Sequence, residues 1–284
     1  NLFFEDIIMS INLSPVAVTE FDSMVKHAFQ NASLLRDTVT VRNNVVGDTY
    51  KFRAMGKGLA NQKATSADVD PMDVAHSLIT ATLSNWNAPE YTDVFDAAEV
   101  NFDEKQELAT TIAGALGRRL DQLVIAAMDA ATPTAVGTTT TGLLASDLID
   151  AKVALVKAGV GSGDLTVAIN GTGLAGLLAD EKVSSADYQN VKALVNGEVN
   201  TFAGFNVVVL EDRAEGGLTV ASDVVSAYAF DKSAIGLAIG MDMKTSIDYV
   251  PQKTSFLCNG MLKAGAAVRD VAGLVEIKYD ATPA

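Results

Sequence analysis

Two alternating segments, Thr49-Tyr50-Lys51-Phe52-Arg53-Ala54-Met55 and His76-Ser77-Leu78-Ile79-Thr80-Ala81-Thr82-Leu83, flank a small and polar stretch running from Gly56-Lys57-Gly58 to Pro71. Alternation at period two predicts a pair of strands. The connection is too long for a tight hairpin, and connections of that length tend to carry function or lie outside a core. Residues 46–90 therefore read as a long flap with few apolar residues of its own. An isolated two-stranded hairpin is marginal in water, so the rest of the chain, or another chain, must supply the surface on which this flap rests.

The strongest helical signal follows at once. Leu108, Ile112, Leu116, Leu120, Leu123 and Ala127 recur every three or four residues, the spacing of one helix face. Asn101 with Glu104, or Asp103 with Gln106, has the form of a capping box, and Pro133 forbids continuation. A helix from Asp103 to Ala131 would run about 44 Å. Gly114 and Gly117 cost it a little stability but let a neighbour approach closely.

Around these two features the chain reads as α+β. Val16 to Ala32 has helical spacing, with Val18, Phe21, Val25, Ala28 and Phe29 on one face, and Leu34 to Val41 reads as a strand, so residues 1–45 form an arm. Thr132 to Gly142 is a Thr/Gly linker. A helix over Ser146–Ala158 ends at Gly159. Strands are expected at Leu165–Asn170, Phe205–Leu210 and Val224–Phe230, with helical pieces at Gly171–Ala179 and Tyr188–Val195. Ile239–Tyr249, Phe256–Val268 and Gly273–Tyr279 read as closing strands.

The 284 residues carry a net charge of −14, with 35 acidic against 21 basic side chains. A protein that grips the DNA backbone needs clustered Lys and Arg, and the densest basic pair here is Arg118-Arg119. Sequence-specific nucleic-acid binding is not expected. The single cysteine, Cys258, excludes an intrachain disulfide and reads as a small buried hydrophobe. No apolar run approaches the ~20 residues of a membrane span. The first residues, Asn1 to Asp6, carry acids where a secretory signal carries bases; residue 1 is not Met, so either a start at Met9 or processing would account for it.

Catalytic motifs fare poorly. Gly171-Thr172-Gly173-Leu174-Ala175-Gly176 matches a dinucleotide fingerprint, follows a strand and opens a helix. The second strand ending in an acid, required about 20 residues on, is replaced by the helical stretch Tyr188 to Ala193. A Gly-rich strand-to-helix turn is the favoured reading and a cofactor site the alternative. Gly56-Lys57-Gly58 and Gly161-Ser162-Gly163 lack the context of phosphate loops. The two histidines, His27 and His76, lack the polar partners of triads and zinc sites. Asp68-Val69-Asp70 reads as a solvated loop rather than a cation site. No cofactor, metal or catalytic residue is expected.

The order of parts is the most informative property: arm, flap, long helix, compact α/β unit, closing strands. It resembles the Hong Kong 97 fold of tailed-bacteriophage major capsid proteins, most closely the podovirus branch. The stretch Trp86-Asn87-Ala88-Pro89-Glu90-Tyr91-Thr92-Asp93 leading to Asn101-Phe102-Asp103 resembles the way those proteins introduce a spine helix. Val167 to Asn170 followed by Leu174 to Asp180 is similar to their axial strand and helix. Asn196-Gly197-Glu198-Val199 to Gly204-Phe205-Asn206-Val207 resembles their Gly-rich turn, and Ala264 to Arg269 with Gly273 to Ile277 their final strands.

The resemblance implies an N-terminal arm (1–45), an E-loop (46–90), a peripheral domain with the spine helix (91–137), an axial domain (138–235) and closing peripheral strands (236–284). It implies a structural protein and not an enzyme, located in the virion capsid and assembled in the bacterial host cytoplasm. Its partners would be itself, as pentamers and hexamers, with a separate scaffolding protein, a portal, optionally a decoration protein, and enclosed DNA bound without sequence specificity. Interface candidates on flap and spine are Arg53, Lys57, Lys63, Trp86, Arg118 and Arg119. Some members crosslink a flap Lys to a neighbour's Asn; Lys57 or Lys63 with Asn259 is the pair to consider, although nothing selects it. The competing readings are an encapsulin (a cargo compartment of the same fold), a dinucleotide-binding oxidoreductase resting on Gly171, Gly173 and Gly176, and a tail or adhesion subunit.

Overall fold

The computed structural model describes residues 33–66, 68–94, 104–161, 163–180, 201–211 and 217–281. The expected helices at Val16–Ala32 and Tyr188–Val195, His27, the two capping boxes and the first part of the Gly-rich turn lie outside these residues. Thirteen strands occur among the described residues: β1 (Thr40–Arg42), β2 (Thr49–Met55), β3 (His76–Thr82), β4 (Ser84–Asp93), β5 (Thr134–Gly137), β6 (Leu165–Ile169), β7 (Thr201–Phe202), β8 (Phe205–Val209), β9 (Val220–Ala221), β10 (Val224–Asp231), β11 (Ile235–Val250), β12 (Ser255–Val268) and β13 (Leu274–Asp280). Three α-helices join them: α1 (Glu104–Ala130), α2 (Ala145–Lys157) and α3 (Gly171–Ala179).

The strands form three sheets. A four-stranded sheet runs β1-β11-β12-β4, with β1 parallel to β11 and the other pairs antiparallel. A seven-stranded sheet runs β5-β13-β10-β6-β8-β7, with β9 alongside β10. The flap is a separate two-stranded sheet, β2 against β3, in the register Phe52 opposite Ile79.

Helix α1 has 27 residues, about 40 Å of length. It packs across β12, β4 and β11. Its buried stripe is Ile112, Leu116, Leu120, Val124 and Met128, with Ile125 beside it. The expected stripe held as far as Leu120. Beyond it, Val124 and Met128 face the core, whereas Leu123 and Ala127 are half-buried. A 3.6-residue period selects the step of four here, and both steps had apolar residues available. Gly260 on β12 allows the helix to come close: a Cβ there would lie 2.2 Å from Ile112 Cγ2.

Three local expectations differ from the structure. Leu34–Val41 holds a 3-10 turn (Arg36–Thr38) before the short β1. The Thr/Gly linker contains β5, which pairs in parallel with β13. The return strand of the flap, expected through Leu83, stops at Thr82, and the chain then joins the four-stranded sheet as β4. The seven-stranded sheet joins β5 and β13 to β6, β8 and β10. Short strands such as β5 take their identity from a distant partner, which local alternation does not reveal.

Candidate assembly surfaces

The root of the flap is pinned by a small apolar cluster of its own: Val45, Phe52, Ala81, Leu83 and Ala238, with Tyr50 and Ala267 against it. Burying Phe52 contributes about 2 kcal/mol. The far end of its ring abuts Gly236, where a Cβ would sit 2.5 Å from Phe52 Cζ, and the Arg269 guanidinium lies 5.6 Å from the ring centre. At Gly265 the backbone of the flap crosses β12 so closely that a Cβ would meet the Thr82 carbonyl oxygen at 2.0 Å. Lys263 pairs with Asp48 at 2.7 Å and holds that carboxyl below its ordinary value by a hydrogen bond and by charge.

Beyond the root the flap is bare. Met55, Leu59, Val69, Met72 and Leu78 are exposed, Leu59 by 84%. Arg53 stands opposite Leu78 on β2 and is exposed, as is Lys63 in the loop. Lys57 donates from Nζ to the carbonyl of Ala158, just past the last turn of α2, where a cation complements the negative end of the helix dipole.

A second surface is the exit of the arm. Asp121 on α1 is 4% exposed and accepts three hydrogen bonds from one short stretch: Ser33 Oγ at 2.7 Å, Leu34 N at 2.9 Å and Leu35 N at 3.0 Å. Burial pushes its carboxyl above the ordinary aspartate value; the three donors oppose this, and the charge of Glu211 adds to it. Arg36 then grips Asp242 with both terminal nitrogens, at 3.1 and 2.7 Å. These contacts fix Ser33–Arg36 against α1 and β11. The sequence signal for Asp121 was a lone acid amid an apolar helical stripe.

The six candidate residues do not form one site. Trp86 and Arg119 come together, the guanidinium 4.2 Å from the indole centre, and the Trp86 Nε1 hydrogen is buried without an acceptor in the described structure. Arg118 is half-buried on α1. Asn259 lies on β12 opposite Pro89, whereas Lys57 is engaged at the end of α2.

The glycine motif has a packing explanation. The side chain of Asn170 caps α3 by accepting from Gly173 N at 2.8 Å, and the same oxygen accepts from the buried Tyr279 hydroxyl. A Cβ on Gly173 would lie 2.6 Å from that hydroxyl, and one on Gly176 would lie 2.8 Å from the Leu143 carbonyl oxygen. The space a pyrophosphate would occupy at this helix start is filled by Tyr279 and by the Asn170 cap. Gly173→Ala should cost about 1–3 kcal/mol through overpacking. Tyr279→Phe removes the offending hydroxyl, so the double variant should lose clearly less than the sum of the singles in urea unfolding; strict additivity would refute the contact.

No curated protein matches this sequence. Among solved structures, the chain is similar to the capsid of the cyanophage P-SCSP1u, with a TM-score of 0.75 at 18% identity, covering 95% of both chains. It is similar to a Gordonia phage Cozz structure, with a TM-score of 0.75 at 11% identity, covering 97% of this chain and 95% of that one. The capsid of the native GTA particle gives a TM-score of 0.69 at 18% identity over 92% of this chain and 94% of that one. These likenesses show the α+β fold of Hong Kong 97 type that the order of parts implied. The family model for phage capsid protein matches residues 13–281. With nearly the whole length matched, the chain belongs to the phage capsid protein family.

Proposed function

We propose that this chain is the major capsid protein whose copies, as pentamers and hexamers, close an icosahedral head around packaged DNA. The observation that carries this is the flap: a two-stranded sheet rigidly seated at its root, whose distal apolar residues are exposed on the single chain. Exposed apolar groups gathered on one extension mark a surface that another chain covers. Arg53, Lys63 and the Trp86–Arg119 stack remain interface candidates in this reading.

The role is structural rather than catalytic. Shell assembly in the host cytoplasm with a separate scaffolding protein, a portal and optional decoration is the form this reading takes. The acidic balance suits a container that must not clamp its DNA. No described helix is long and apolar enough to cross a membrane.

Electron microscopy of the full chain, co-expressed with a scaffolding partner, tests the proposal. Uniform closed particles are the expected result, and their contents separate a DNA-filled head from a protein-filled compartment. Small rings or fibres under every scaffolded condition would rule it out.

A further inference from the structure

The flap is held to its own chain at two separate places. Its root rests on the four-stranded sheet through Ala238 on β11 and Ala267 on β12. Lys57 follows Phe52 by five residues, up to about 17 Å further along an extended strand, and its ammonium reaches the Ala158 carbonyl at the end of α2. Helix α2 belongs to the other sheet: it buries Leu148, Ala151 and Leu155 and packs on β13 and β5. The first anchor fixes where the ribbon starts. A second anchor, remote from the first and on a different sheet, fixes where it points.

The second anchor has defined chemistry. In the last turn of α2 the carbonyls of Ala154, Leu155 and Val156 accept from the backbone N–H groups of Ala158, Val160 and Gly159 at 3.0, 3.0 and 2.9 Å. The Ala158 carbonyl comes next and takes Lys57, at the helix end where a cation is favoured. Gly159 keeps the path open: its φ is +85°, and a Cβ there would lie 3.0 Å from Lys57 Nζ. The flap is also closed on both sides of Lys57. Gly56 N donates to the Ala75 carbonyl oxygen at 2.8 Å, and a Cβ on Gly58 would lie 3.0 Å from Met72 Sδ and 3.1 Å from Val74 Cγ2. Restraint at Lys57 is therefore passed to both sides of the flap.

We propose that Lys57 is a positioning residue: by tying the flap to α2 of its own chain, it aims the distal flap before another copy is met. The consequence for assembly rests on the shell reading. An extension that swings freely must be ordered at each contact it makes, and fixing it beforehand removes that entropic cost. A head-to-tail contact closes only when its rotation is held to one value, so a swinging flap also admits contacts that do not close.

Spin labels at Ala60→Cys and Ile149→Cys in the full-length unassembled subunit read the direction of the flap by pulsed dipolar spectroscopy; Cys258 is buried and escapes labelling. One narrow distance distribution is expected. Lys57→Met should broaden it about two-fold, whereas Lys57→Arg, which keeps a cationic donor, should leave it narrow. Lys51→Met removes the same charge from an exposed position of β2 and should change nothing. Asn tolerates the left-handed backbone at a helix end but fills the path of the ammonium, so Gly159→Asn should broaden the distribution as Lys57→Met does, and the two together should add nothing further. Under shell-forming conditions Lys57→Met should raise the subunit concentration needed for particles about five-fold, the loss of one ordinary hydrogen bond. An unchanged distribution in Lys57→Met, or equal broadening in Lys51→Met, would overturn the proposal. So would an unchanged or lower particle threshold, the latter showing that the contact holds the flap away from its working direction. Failure of the unaltered chain to form particles would instead sink the shell reading, and the distance measurement would still judge the anchor.

Discussion

Gly265→Ala is expected to unseat the flap and to lower the stability of the unassembled subunit by about 3 kcal/mol, the upper range for overpacking a core. The added Cβ would meet the Thr82 carbonyl oxygen at 2.0 Å, its carbon at 2.7 Å and Leu83 Cα at 3.1 Å. All three are backbone atoms, so no side chain can rotate away. At Gly260 the nearest atom is a methyl group of Ile112, which can turn aside at lower cost. Gly161, with open space around its Cβ position, is the matched control and should change stability by less than about 0.5 kcal/mol when made Ala. Urea unfolding of the three variants gives the order directly. Limited proteolysis between residues 56 and 75 should accelerate only in Gly265→Ala. Equal midpoints for Gly265→Ala and Gly161→Ala would show that the crossing is not tight.

Asp121→Ala is expected to cost about 3 kcal/mol as well, by a different route. It leaves the Ser33 hydroxyl and the Leu34 and Leu35 N–H groups without their acceptor, the first two part-buried and the third buried, and a stranded buried donor carries a penalty of about 1–3 kcal/mol. Leu35 is fully buried, so water cannot readily replace the carboxylate. Asp121→Asn keeps the shape and should fall between wild type and Ala. The pH dependence separates the two effects. Because the folded value of Asp121 is raised above 3.8, its stabilising contribution is full below that value and declines as the pH rises through the folded value. The stability gap between wild type and Asp121→Asn should therefore narrow as pH rises from about 4 to about 7. A gap that widens over this range would show that the three donors outweigh burial.

The parts of the fold legible in the sequence were those specified by near neighbours. The flap strands were legible because Thr49–Met55 and His76–Thr82 alternate cleanly around a root that buries Phe52 and Ala81. Helix α1 was legible because its apolar period persists to Pro133, and α2 because Gly159, with φ of +85°, ends it where Gly is favoured. Features set by distant partners were not legible. Thr134–Gly137 becomes a strand only because β13 offers an edge, and Asp121 gains its meaning from a chain segment 86 to 88 residues away. Gly173 resembled a cofactor glycine because Tyr279, which requires the missing side chain, lies 109 residues beyond its Asn170 partner. The candidate interface residues were legible only as types. Arg119 and Trp86 proved to be neighbours by virtue of α1 packing across β4.

The order of strands has a consequence for biosynthesis. In the four-stranded sheet Thr40 lies beside Gly236, and in the seven-stranded sheet β13 sits between β5 and β10. At about 5–20 residues per second, the ribosome needs about 10–40 s to pass from the first of the paired residues to the second. During that interval neither sheet can close, and the flap has no root, because Gly236 and Gly265 have not yet been made. A nascent chain therefore cannot display its finished contact surfaces until β11, β12 and β13 have been made. Until then, copies translated side by side on one message lack the surfaces through which to polymerise, and the apolar segments left waiting are natural clients for chaperones.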